Sequence, residues 1–229
     1  VTASIRDVEG RDREAVARIC RLTGRGGDDA TGAYGDDDLL ADVYASPYLE
    51  HPSGFGVVAI GDAGQVVGYL IGTTDTASFS HWFVSDWWPR VSAGKEPRTP
   101  DDGPLFRAAV DPHRMLVSNL SRYPAHLHID LLAEARGGGT GRRLVDAALD
   151  ILRDRGVAGV HLVVAASNRG AVAFYERTGF TALLDDIGSV QGESMVYARD
   201  VPGAAAPHVP PERPASTRQP RRVGRRSNQ

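Results

Sequence analysis

Lysine and cysteine are almost missing from these 229 residues: Lys95 and Cys20 each stand alone. A single cysteine excludes an internal disulfide framework and suits a reducing compartment. No apolar run approaches the ~20 residues of a membrane-spanning helix. The first 25 residues are too polar and charged for a secretory signal. A soluble cytoplasmic protein is therefore expected, and 41% hydrophobic residues suffice for a sizeable core. Bases are also missing locally. From Gly26 to Pro89 there is no Lys or Arg, yet ten acids occur. Such a block reads either as a solvated acidic face or as a negative field that draws a cationic ligand.

The opposite imbalance closes the chain. Residues 203–229 carry six Arg against one acid, Glu212, with much Ala and Pro and no apolar periodicity. They read as an Arg/Pro-rich tail on one domain over residues 1–202. A nucleic-acid arm is the functional reading of that tail, a solvated extension the plainer one, and neither nucleic acid nor membrane is expected as a partner.

Along the domain, strand patterns alternate with helical ones. Short apolar runs at 4–8, 55–60, 65–71, 127–132, 159–165 and 195–201 read as strands, the second and third joined by a hairpin signal at Gly61–Gly64. Helical stripes appear at 11–22, 36–44, 77–88, 142–155 and 170–177. Residues 89–113, with five prolines, read as an irregular insertion. The sum is an α/β fold with helices on both faces of a mixed sheet. Phe79, Trp82, Phe83 and Trp87 share a helical face, with Trp88 in the same stretch, and the face reads as core more than as a pocket wall or dimer surface. Cys20, on an apolar stripe, reads as buried and inert.

The richest chemistry lies in Arg136-Gly137-Gly138-Gly139-Thr140-Gly141-Arg142, between a strand and an amphipathic helix. Clustered glycines let the backbone turn sharply and approach a ligand. Free N–H groups and the helix dipole then favour an anion such as a diphosphate. A nucleotide-triphosphate loop would end in Gly-Lys-Ser/Thr, which is absent, and a dinucleotide fingerprint lacks its last glycine. Arg-x-x-Gly-x-Gly is met by Arg136, Gly139 and Gly141.

That loop resembles the coenzyme A pyrophosphate motif of the GNAT acetyltransferases. Asn168, Ala171, Phe174-Tyr175 and Gly179-Phe180 resemble the family's second motif, in the right order and spacing. More narrowly, the segments Tyr123–Leu132, Val67–Asp75 and Pro47-Tyr48-Leu49 look like bacterial relatives of the O-GlcNAcase C-terminal acetyltransferase-like domain. The resemblance implies a GNAT fold with a mostly antiparallel sheet, acetyl-CoA as cosubstrate and no metal. It implies that Asp130, Leu131 and Leu132 pair their main chain with pantetheine and that a backbone N–H there stabilises an oxyanion. Residues Arg136, Gly137, Gly138, Gly139, Thr140, Gly141 and Arg142 would hold the pyrophosphate, with Asn168 and Phe174 beside the coenzyme. Tyr175 would donate a hydrogen bond to the departing thiolate, full proton transfer being uphill from a phenol of pKa ~10 to a thiol of ~8.5.

Alternation along the strand puts His126, His128 and Asp130 on one face. Three polar groups there are costly unless satisfied or used. Asp130 or His128 serves as candidate general base for an amine; a hydrogen-bonded structural network is the plainer reading. His-x-His-x-Asp also opens a metallo-hydrolase motif, but Leu131 replaces its final His, and side chains ~7 Å apart along a strand do not converge easily on one metal. The expectation is direct transfer, in a ternary complex, to a cationic amine on a small molecule or a protein lysine. A coenzyme-binding pseudoenzyme or interaction module is the alternative. The oligomeric state is left open, a homodimer included.

Overall fold

A computed structural model describes residues 3–183 and 194–204. Seven strands form one sheet in the order β1-β2-β3-β4-β5-β7-β6. They are β1 (Ser4–Asp7), β2 (Gly54–Ile60), β3 (Val66–Thr73), β4 (Ala125–Leu131), β5 (Gly159–Ala165), β6 (Thr181–Ala182) and β7 (Ser194–Asp200). All neighbours are antiparallel except β4 and β5. The helices are α1 (Arg13–Thr23), α2 (Leu39–Tyr44), α3 (Thr76–Trp82), α4 (Trp88–Val91), α5 (Asp102–Val110), α6 (Thr140–Asp154) and α7 (Arg169–Arg177). The expected α/β architecture is present.

Each sheet face has its own core. On one, Leu144, Val145, Ala148, Leu149 and Leu152 of α6 recur at helical spacing and pack on Val57, Leu70, Leu127 and Val160. On the other, Val16 and Ile19 of α1 meet Tyr69, Ile71 and the ring cluster Phe79, Phe83, Trp87 and Trp88. Because both faces are covered, β3 is buried along its whole length and reads as a continuous apolar run.

Two expectations change. Residues 89–113 are not wholly irregular, since α5 lies within them. Pro104 falls in its first turn, where a missing N–H costs nothing. The buried Asp102 carboxylate accepts backbone N–H bonds from Gly35, Arg98 and Thr99, pinning the insertion to the α1–α2 connection. The helix expected over 77–88 runs from Thr76 to Val91 in three parts, with a wide π turn at Phe83–Trp87. Trp87 and Trp88 are core residues, as the spacing suggested. Among the described residues no helix is long and apolar enough to cross a membrane. The tail beyond residue 204 lies outside the described residues.

Candidate active site

β4 and β5 pair only at Ala125–Val160 and His126–His161. Beyond that point no pairing holds them together, so the β4 main chain from Leu127 to Leu131 lacks a strand on its β5 side. A cleft of ~630 Å³ opens there, floored by Ile129, Asp130 and Leu131 and walled by the glycine loop and α7. Parallel strands that separate leave backbone donors and acceptors free for an extended ligand.

The glycine loop forms one mouth of this cleft. Gly137 and Gly139 have φ of +83° and +75°, a region that side-chain-bearing residues rarely enter. Gly139 caps α6, so the first N–H groups of that helix point outward. Among the described residues, no backbone N–H from Gly137 to Arg142 has an acceptor, although Arg136 and Arg143 on either side do. Six consecutive open donors at the start of a 15-residue helix form an anion cradle. Arg136, Arg142 and Arg177 line the same cleft, against one acid, Asp130. Arg136 is itself tied down: its guanidinium donates to the carbonyls of Leu131 (2.9 Å) and Gly27 (2.8 Å). This residue set fits a diphosphate-bearing coenzyme.

Asn168 caps α7 by accepting the Ala171 N–H, and its remaining amide faces the cleft. Phe174 lines the cleft and abuts α6: a Cβ on Gly141 would sit 2.9 Å from its ring. Tyr175 is buried between Phe174 and Phe180, yet its hydroxyl has no hydrogen bond among the described residues and is not sealed from the cleft. Burial raises its pKa, and the nearby Asp130 charge adds to the rise. It is therefore a hydrogen-bond donor at neutral pH.

Asp130 accepts a 2.6 Å bond from the Tyr69 hydroxyl. Removal from water pushes its carboxyl up to about 6, against the opposing pull of Tyr69. It is thus mostly ionised at pH 7 and basic enough to take a proton. Cys20, the nearest thiol, is buried and pushed up to about 12 by desolvation, so it is no thiolate.

Leu132, Gly138 and His128 do not line this cleft. Leu132 packs into the α1-side core and donates its N–H to Val67. His126 and His128 both meet the buried Tyr48 hydroxyl, at 2.7 and 2.9 Å. The three polar residues of β4 therefore part company, the imidazoles going to Tyr48 and the carboxylate to Tyr69. Sequence reasoning missed Gly26, Gly27, Arg177 and Thr178 in the lining. The two glycines after α1 carried a signal, both at positive φ. Four of the block's ten acids are ion-paired: Lys95 bridges Asp36 (3.0 Å) and Asp42 (2.8 Å), Arg21 meets Asp37, and Glu50 binds Arg13 and Arg90. None of the ten acids lines the cleft among the described residues.

The profile of the "Acetyltransferase (GNAT) family" matches residues 27–180. The chain belongs to the GNAT acetyltransferase family. This GNAT chain is 37% identical to SsHAT, known from a crystal structure, over 88% of its own length and 99% of the other, with a TM-score of 0.77. It is 55% identical to the mycothiol acetyltransferase of Beutenbergia cavernae over 47 residues, which are 20% of this chain and 16% of that protein. The PaiA N-acetyltransferase of Thermoplasma acidophilum, solved with coenzyme A, shares the fold at 13% identity, with a TM-score of 0.54 over 87% of this chain and 99% of that one.

Proposed function

We propose that residues 1–202 form an acetyl-CoA-dependent N-acetyltransferase and that 203–229 are an appended tail. The run of open N–H donors at residues 137–142, at the mouth of the β4/β5 cleft, carries this reading. They would hold the pyrophosphate, with Arg142 and Arg177 adding charge and the free β4 edge bonding the pantetheine arm. Acetyl-CoA supplies an activated acyl carbon and a thiolate leaving group. Asp130 takes the proton that the amine loses as its nitrogen bonds to that carbon. Tyr175 donates a hydrogen bond where the departing sulfur gathers negative charge. Transfer is direct, because a thiol as firmly protonated as Cys20 does not carry an acyl group.

The amine acceptor is part of this proposal and rests on the family, since none of the ten acids between Gly26 and Pro89 lines the cleft among the described residues. The test is calorimetry with acetyl-CoA, followed by a thiol-release screen over primary amines. Binding with release supports the enzyme; no heat of binding refutes it. A likeness to the O-GlcNAcase acetyltransferase-like domain motivates the second reading, a coenzyme-binding module, which predicts heat without release for every amine. Its support is the His126–Tyr48–His128 lock, which removes two of the three polar β4 residues from the cleft.

A further inference from the structure

The buried polar chain beneath β4 has a direction, and the direction is set by a carbonyl. The Thr76 hydroxyl lies 2.7 Å from the Pro124 oxygen. A carbonyl only accepts, so Thr76 must donate its proton there. Its oxygen then accepts from His126 Nδ1, at 2.9 Å. His126 is fully buried beside His161, their rings 5.7 Å apart, and desolvation drives its pKa well down. It is neutral, with its one proton on Nδ1 and a lone pair on Nε2. The Tyr48 hydroxyl, whose pKa burial raises, must donate to that lone pair. Its oxygen is left to accept from His128 Nε2. Each link leaves the next a single choice.

His128 ends the chain. Desolvation, aided by the Arg114 charge, lowers its pKa to about 4, so it too holds one proton. That proton is on Nε2. The Nδ1 lone pair has no partner among the described residues and is not sealed from solvent. Around it stand Tyr44, its ring 6.0 Å from the imidazole, and Arg114, stacked on Tyr44 and Phe83 without a carboxylate partner among the described residues. Asp130 is the next residue on the same strand face, about 7 Å along.

We propose that Tyr48 is a positioning residue: through this one-way chain it fixes the His128 proton on Nε2 and offers the Nδ1 lone pair to an N–H of the incoming amine. The inference rests on the amine-transfer reading and adds an acceptor contact on the α2 side of β4, opposite the coenzyme wall. Tyr48→Phe keeps the stack on Phe79 and removes only the relay oxygen.

Long-range ¹H–¹⁵N spectra of the full chain with saturating coenzyme A test this, with n-butylamine as probe. His126 should carry its proton on Nδ1 and His128 on Nε2, and n-butylamine should shift the His128 Nδ1 signal. In Tyr48→Phe the His128 proton should spread over both nitrogens, and n-butylamine should bind about fivefold more weakly, the worth of one hydrogen bond. Thr76→Ser should keep the wild-type pattern, and Thr76→Val should lose it. A wild-type His128 proton on Nδ1 overturns the proposal. So does n-butylamine binding unchanged in both Tyr48→Phe and His128→Asn. Coenzyme A that gives no heat of binding and no spectral change, with the tautomers as assigned, would instead fail the transfer reading alone.

Discussion

As the proposed base, Asp130 must be ionised to accept a proton, yet basic enough to hold it. Its half-desolvated seat gives both, with a carboxyl near 6 in place of the usual value near 4. Asp130→Asn should cut kcat/KM on the order of 100-fold and leave acetyl-CoA affinity unchanged by calorimetry. In the wild type kcat/KM should climb with pH through about 6, and that limb should vanish in the variant. Tyr175→Phe should lower kcat far more than it raises the acetyl-CoA Kd, since only developing charge on sulfur calls on the phenol. Motif spacing pointed to Tyr175 and strand alternation to Asp130. Which of Asp130 and His128 lines the cleft was not legible, because alternation assigns a face and not a partner. Tyr69 and Tyr48, which separate the two, lie 61 and 80 residues away.

At the scale of elements, function depends on two strands that start together and part. The glycine loop was readable because four glycines in five positions have few other uses, and the amphipathic stripe of α6 announced the helix behind it. The splay of β4 from β5 was not readable from the strand patterns themselves, which run past residue 126 in β4 and 161 in β5 without a break; only the family resemblance implied it. A Pro-rich window likewise concealed α5, because proline in a first turn is compatible with a helix. Gly139→Val forces a side chain into positive φ, at ~1–2 kcal/mol. Acetyl-CoA Kd should rise tenfold or more, while thermal unfolding moves by a few degrees. Unchanged affinity would show that the loop holds no diphosphate.

For the molecule as a whole, composition named an acidic surface, and the fold pairs four of its ten acids with bases. The partners Arg13, Arg21, Arg90 and Lys95 come from outside the base-free block, which a local count of charge cannot foresee. Titration should instead follow the buried groups. Unfolding at pH 5 lets His126 and His128 each take up a proton, because their folded pKa values are depressed. It releases one from Asp130, whose folded pKa is raised. The net uptake is one, so stability should fall by about 1.4 kcal/mol per pH unit from about 6 down to about 4. Urea midpoints at pH 7, 5 and 4 check this; His128→Gln should flatten the slope.

Lys95 has one further consequence. A transferase of this family works beside an acyl donor that modifies accessible amines, yet this chain owns a single ε-amino group, and that group is clamped as a cation between Asp36 and Asp42. Self-modification at lysine has almost no target here. Prolonged incubation with the acyl donor should leave the Lys95 tryptic fragment at its original mass, until Asp42→Asn loosens the clamp.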